Sequence, residues 1–387
     1  SRTLYAASRT PSDGVERMAH SLQLRFPTND CFVSGLSPVT IHRVTTRFDS
    51  AYHAPVLVDE ILDLFAGATR ALDCTLGGGG HSAAMLDAGI ATVTGVDRDP
   101  EAIAEAAARL RPAIEAGRFN VVRGNFADVA EQLSPGVTFD AILLDLGVSS
   151  HQFDDESRGF SFREGAPLGM AMEGTVGDGG QLAVGGGQLA AGRERTADGV
   201  ERTARGFVYR SAAEFLNESS VEDLSRVFRE YGDEPKSGRL AREVDRRRGH
   251  RPFVVSDDLV GAIRGVLGPR SGPGDFARIF QAVRIAVNDE LGALARALPL
   301  LRDRLAPRGV LAVIAYHSGE DRLVKLAFRE WASSCICPPR LPVCICRGRP
   351  LGTLITRKPI TASEAEVAHN VRARSAHLRA FRREDAR

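Results

Sequence analysis

The sequence predicts an α/β fold, a doubly wound, Rossmann-like parallel sheet with a small α-helical domain inserted into it. Three observations carry that prediction. From His53 onward short apolar runs alternate with helical stretches. The run FDAILLDLG, residues 139–147, has an almost continuous apolar core. Between residues 211 and 278 the alternation gives way to helical spacing alone. Strands that read apolar throughout are buried on both faces, as in a parallel sheet covered by helices.

Residues 1–50 are weakly patterned and rich in Ser, Thr and Arg, and read as a weakly structured N-terminal extension. Asp13, Glu16 and Asp30 depart from the acid-poor composition of an import peptide, the competing reading. Residues 51–165 form the first part of the sheet domain. Strands are expected over 69–75, 92–96, 120–123 and 139–147, with helices over 83–88 and 101–110. Residues 166–210 are read as a Gly-rich flexible insert, with the near repeat GGQLAVGGGQLA, whose composition cannot form a packed core. The helical domain, 211–278, shows N-cap patterns: Ser220 stands two residues before an acidic pair, and Ser256-Asp257-Asp258 opens a further helix. Residues 279–387 return to the sheet with a long helix through NDELGALARAL and the strand GVLAVIAYHS (309–318), then a Cys-rich segment and a basic tail.

At 387 residues, 43% hydrophobic and 26% charged, the chain can bury a sizeable core. A formal charge of +1 singles out no partner, but residues 340–387 hold 11 Lys/Arg against 4 Asp/Glu, a tail suited to phosphate. Apolar runs fall short of the roughly 18 residues of a membrane span, so no membrane partner is expected. Six cysteines are too few for a secreted disulfide scaffold, and a cytoplasmic setting fits.

The stretch ALDCTLGGGGHS (71–82) sets four glycines between a strand and a helix. Glycine loses much conformational entropy when fixed, so a run of four calls for positive φ or a ligand close to the backbone; a flexible surface loop is the alternative. Gly77, Gly79 and Ser82 occupy the three glycine places of the dinucleotide fingerprint, so the third glycine is missing. Acidic residues mark the strands: Asp73 within the first, Asp97 twenty residues after Gly77, and Asp145 ending the fourth. A carboxylate at Asp97 suits the two hydroxyls of a ribose, and one at Asp145 suits a cationic or amine-bearing reactant. The spacing fits S-adenosylmethionine, with glycines against its amino-acid part and Asn125-Phe126 flanking its adenine. In the competing reading Asp97 and Asp145 only cap helices or close turns.

The runs HAPVLVDE (53–60), DCTLGGGGHS (73–82), GVDRDP (95–100), ILLDLGVSSHQFDDESRGFSF (142–162), FQAVRIAVNDEL (280–291), HSGEDRLVK (317–325) and NVRARSAHLR (370–379) together resemble the ribosomal RNA small subunit methyltransferase H family. The resemblance spans about residues 51–380 in order. It implies a class I methyltransferase sheet and N4-methylation of a cytidine in the decoding region of bacterial 16S ribosomal RNA. Small-subunit RNA or the assembled small subunit is the implied partner. Cofactor contact is implied at Gly79, Gly80, His81, Asp97, Phe126, Asp145 and Gln152.

The exocyclic N4 of cytosine is a poor nucleophile, because its lone pair is delocalised into the ring. The reaction therefore needs an in-line hold on the amine and a group to draw off its hydrogens; Asp145, at the end of the fourth strand, is the candidate catalytic residue. Asp145 could equally bind cofactor only. Amine methyltransferases usually carry a polar-Pro-Pro-aromatic motif there, whereas this chain has Asp145-Leu146-Gly147-Val148. Phe160 and Phe162 could supply the aromatic clamp or belong to the core. Two departures stand out. APLGMAME has Gly169, Ala171 and Glu173 where the family reads Asp, Arg and Asp, and a Gly-rich insert follows from about Thr175 to Phe207. Two other readings stay open: a DNA amino-methyltransferase, and a non-catalytic RNA-binding assembly factor that keeps a cofactor pocket.

Seven basic residues, Lys236, Arg239, Arg242, Arg246, Arg247, Arg248 and Arg251, form either a solvated helix face or a phosphate-contacting one. In the tail, Arg372, Arg374 and Arg379 are expected to hold RNA phosphate. Cys335, Cys337, Cys344 and Cys346 could wrap one structural zinc. Their single intervening residues are tighter than the usual two to four, and unligated or oxidised thiols are the alternatives.

Overall fold

A computed structural model of the chain describes residues 46–50, 54–147, 155–172, 211–337, 345–346 and 348–385, with three short strands between 194 and 207. All of them fall in one compact unit, His42–Arg387. In chain order its first elements are α1 (Val58–Leu64), β1 (Arg70–Asp73), α2 (Gly80–Asp87), β2 (Thr92–Asp97), α3 (Pro100–Arg109) and α4 (Arg111–Glu115). Then come β3 (Phe119–Arg123), α5 (Phe126–Gln132) and β4 (Phe139–Asp145). The short strands β5 (Glu194–Arg195), β6 (Glu201–Thr203) and β7 (Gly206–Phe207) pair antiparallel with one another. Helices α6 (Ala212–Glu218), α7 (Val221–Glu230), α8 (Ser237–Arg248), α9 (Ser256–Leu267), α10 (Pro273–Asn288) and α11 (Glu290–Asp303) follow. The chain closes with β8 (Leu305–Ala315), α12 (Ser318–Ala332), β9 (Gly352–Leu354), α13 (Glu364–His369) and β10 (His377–Arg383).

Seven strands make the main sheet, in the order β3-β2-β1-β4-β8-β10-β9. β1 pairs parallel with both β2 and β4, and β4 pairs parallel with β8. β10 runs antiparallel to β8 and β9. The order therefore reverses between β1 and β4, which is the switch point of a doubly wound, Rossmann-like sheet.

Apolar runs without alternation become strands covered on both faces, because successive side chains point to opposite sides. On β4, Ala141 and Leu143 join Met85 and Ile61 in one core, while Ile142 and Leu144 join Leu294 and Phe328 in the other. β8 divides in the same way: Val310, Ala312 and Ile314 against Leu311, Val313 and Ala315.

A separate apolar cluster gathers α6 to α10 through Leu216, Phe228, Leu240, Ile263 and Ile279. The Ser220 hydroxyl accepts the N–H of Asp223 at 3.0 Å, the cap that the sequence suggested. At α9 the cap comes from Asp258 rather than Ser256. Its carboxylate accepts the N–H groups of Val254 and Val255 at 2.9 and 3.0 Å, while the Ser256 hydroxyl donates to the Arg163 carbonyl at 2.5 Å. α10 runs unbroken across residue 278, with Phe276 and Phe280 both in this cluster.

Two other boundaries differ from the sequence reading. α2 begins at Gly80 rather than 83, because the glycine turn, with φ of +49° at Gly77 and +75° at Gly79, leads straight into the first helical turn. β8 ends at Ala315, so Tyr316 and His317 leave the sheet and frame the start of α12.

Candidate active site at the carboxyl ends of the central strands

A cleft opens where β1, β2 and β4 end, beside the switch point, and Gly80, His81, Asp97, Phe126 and Asp145 line it. Its floor is the glycine turn. A methyl group built on Gly77 meets nothing within 4 Å, so that position leaves the backbone bare toward the cleft. The other two glycines answer to packing. On Gly79 a Cβ would lie 3.2 Å from Ala106 and Leu110, and on Gly80 it would lie 2.9 Å from Pro55. Gly79 is therefore placed by α3 rather than by the cleft.

Asp97 ends β2 and organises this floor. Its Oδ2 accepts the N–H of Gly77 at 2.8 Å and its Oδ1 the N–H of Asp99 at 2.9 Å. Each carboxylate oxygen has a second lone pair for a ligand hydroxyl. Burial raises the Asp97 pKa, opposed by the two backbone N–H groups that favour the charged form. Phe126 opens α5 directly after Asn125, whose side-chain oxygen accepts the Ala127 N–H at 3.0 Å. That cap commits Asn125 to the helix and leaves Phe126 on the cleft wall.

Asp145 stands at the end of β4 in a polar cage. Its backbone N–H donates to the Thr75 hydroxyl at 2.6 Å, and its Oδ1 accepts the Tyr316 hydroxyl at 2.8 Å. Nδ1 of His81 lies 3.6 Å from Oδ2. The other ring nitrogen, Nε2, is 2.9 Å from the Val56 carbonyl, which can only accept, so Nε2 carries a proton. Burial pushes Asp145 up to about 6, against the downward pull of His81 and of the Tyr316 hydrogen bond; Asp73 and Glu320 add to the rise. Burial and the neighbouring Asp145 also raise Tyr316 well above its ordinary value, so it stays a donor. Below this cage the buried Asp73 accepts the Ser82 hydroxyl at 2.7 Å, tying β1 to α2, and burial raises its pKa too.

The chain matches the MraW methylase family over residues 50–179 and 207–384. It belongs to that family. Residues 180–206, unmatched, fall in the Gly-rich insert. A protein of Gemmatimonas aurantiaca named ribosomal RNA small subunit methyltransferase H is 58% identical over 332 residues, 86% of this chain and 95% of that protein. Proteins of the same name from Symbiobacterium thermophilum and Heliobacterium mobile are 43% and 42% identical, each over 85% of this chain and 96% and 97% of their own lengths.

Of the residues that the family resemblance singled out, Gly80, His81, Asp97, Phe126 and Asp145 meet at one cleft. Gln152 lies outside the described residues. Sequence reasoning gave no role to Thr75 or Tyr316, nor to Pro55 and Val56, which pack on the glycine turn and His81. Tyr316 follows the last apolar residue of β8 and so stands at the same sheet edge as Asp145; a register count across β4 and β8 would have found it.

Phe160 is buried in the helical cluster, and Phe162 packs edge-to-face on Phe276 and Phe280 at 6.0 and 5.9 Å, so both serve the core. Gly169 sits in the same tight region, where a Cβ would come within 2.5 Å of the Arg158 carbonyl. Any side chain at that position would have to displace the backbone around it. Arg379 corrects an expectation. It is buried and paired with Asp321 at 2.6 and 2.9 Å, so it braces β10 against α12 instead of reaching phosphate. On α8, Arg246 and Arg247 pair with Glu243, and Arg248 with Asp245, while Lys236, Arg239 and Arg242 are exposed.

Proposed function

We propose that this chain transfers a methyl group from S-adenosylmethionine to N4 of a cytidine in the decoding region of 16S ribosomal RNA, within the small subunit. The observation that carries the reading is Asp145, a carboxylate only 9% exposed at the cleft that Tyr316 and His81 hold in place. The cofactor fits the residues present: bare backbone at Gly77 for its amino-acid part, lone pairs of Asp97 for its ribose, and Phe126 against its adenine. When bound it supplies an electrophilic methyl group. Gly80 and His81, in the first turn of α2, offer backbone N–H groups to its carboxylate.

Asp145 accepts a hydrogen bond from the N4 amine, so the lone pair localises on nitrogen, and takes the one proton that N4 releases when it gains the methyl group. With its pKa held near 6 by burial, the carboxylate is ionised at neutral pH and still a competent base. Tyr316 fixes Oδ1 and leaves Oδ2 toward His81. The cytosine must leave its stack to enter, which costs least in single-stranded or splayed RNA.

The same reading makes residues 211–278 an inserted helical domain, supported by their separate apolar cluster. It ends the N-terminal extension before residue 46, because Phe48 is buried against Val58 and Ala84. It sets the enzyme in the cytoplasm, in line with its few cysteines. Among the described residues no helix is long and apolar enough to cross a membrane. The test is transfer of label from S-adenosylmethionine to small-subunit RNA of a strain lacking the activity. Label as N4-methylcytidine, absent with wild-type RNA and with DNA, is the expected result. Label on DNA would favour a DNA amino-methyltransferase, and cofactor binding without transfer a non-catalytic assembly factor.

A further inference from the structure

We propose that Cys335, Cys337 and Cys346 hold one zinc ion that ties down the segment between α12 and β9. The inference concerns the architecture of that segment and stands apart from methyl transfer. Sγ of Cys335 and Sγ of Cys346 are 3.8 Å apart, and the sulfur atoms of all three residues lie within 4.8 Å of one another. A disulfide would draw two of them to about 2.05 Å. Zinc–sulfur bonds of about 2.3 Å set the corners of a tetrahedron about 3.8 Å apart, which is the Cys335–Cys346 spacing. An iron–sulfur cluster shares its thiolates among several metal atoms and spreads them wider than a single ion does.

The Ile336 N–H donates to Sγ of Cys346 at 3.4 Å and so helps fix that sulfur beside Cys335. A single residue between paired cysteines argued against a shared ion in the sequence, yet Cys335 and Cys337 both bring their sulfurs into the group. Among the described residues of the segment, the apolar Ile336 and Ile345 are 45% and 82% exposed. Meanwhile the segment is closed at its base, where the Leu351 N–H donates to the Trp331 carbonyl at 2.7 Å and joins the end of α12 to the start of β9. An ion bound by several thiolates gives such a loop the cross-link that apolar burial does not supply. Three thiolates brought to one point select zinc over the hard cations magnesium and calcium. Cys344 repeats the C-x-C step and is the fourth thiol of the sequence; it lies outside the described residues, and the geometric argument uses none of its atoms. Each ligand thiol gives up its proton to solvent as the ion binds, so occupancy falls in acid.

The full chain, reduced and purified without chelator, tests this. We expect one zinc per chain by elemental analysis, and after exchange a Co²⁺ derivative with the absorption of a tetrahedral thiolate ion. Cys335→Ser, Cys337→Ser and Cys346→Ser should each lose most of the ion, whereas Cys31→Ser keeps it. Because a serine variant can misfold, the unmodified chain supplies a second reading: a strong chelator should open the clustered thiols to alkylation and lower Tm. Reduced protein that takes up neither ion, zinc kept by all three variants, or thiols equally reactive with and without chelator would overturn the site. None of these readouts measures methyl transfer, so failure here leaves the catalytic reading intact.

Discussion

Asp145 is one carboxylate with two measurable consequences. Its native pKa, about 6 against an ordinary 3.8, means that the folded chain binds more protons than the unfolded chain between those values. Stability therefore falls as pH rises from about 4 to 6, by roughly 3 kcal/mol in all. Asp145→Asn should remove that slope in denaturant titrations at pH 5 and 7. If the ionised form is the base, the transfer rate rises with pH through about 6, and the same variant abolishes turnover while cofactor still binds. Tyr316→Phe deletes a hydrogen bond that lowers the Asp145 pKa, so the rate profile should move to higher pH. An unmoved profile would show that Tyr316 does not tune the base. At Asp97, replacement by Ala removes two charge-assisted acceptors and should weaken S-adenosylmethionine by about 2–3 kcal/mol in calorimetry. Affinity equal to that of the unaltered chain would reject the ribose assignment.

Among the elements, β10 shows how a basic residue can be misread. Arg379 lies on the strand's inner side, braced by Asp321 of α12, whereas Arg374 is exposed in the turn before it. Arg379→Gln removes the bidentate partner of Asp321, leaving only the more distant His377 at 3.8 Å, and should cost about 3 kcal/mol of stability, with the salt dependence of RNA binding unchanged. Neutralising Arg372 and Arg374 together should leave the fold intact and reduce that salt slope by about 2. If the Arg379 variant alone flattens the slope, the brace is also a phosphate contact. The expected α2 boundary failed for a related reason. Four glycines look like loop in one dimension, yet Gly80 can enter a helix when Gly79 turns at positive φ and packs on α3.

Across the whole molecule, the family match omits 180–206, which lie within the Gly-rich stretch of the sequence. Deleting those residues, which carry β5, β6 and the first residue of β7, should change stability by less than about 1 kcal/mol and leave cofactor affinity unchanged, because among the described residues these strands pair only with one another and the cost of closing a connection depends only weakly on its length. A folded variant that no longer binds S-adenosylmethionine would assign the insert a part in the cleft. Sequence alone determined the sheet, because unbroken apolar runs such as 139–145 can be satisfied only by burial on both faces. It also determined the glycine turn and the acidic strand ends, since these are local patterns of residue type. Tertiary structure alone decided which polar groups meet. Asp145 and Tyr316 are 171 residues apart in the chain, and their 2.8 Å hydrogen bond exists because β4 and β8 pair in register at the middle of the sheet. Whether Arg379 faces water or Asp321 was likewise settled by the antiparallel pairing of β10 with β8, a contact between distant segments that no local spacing encodes.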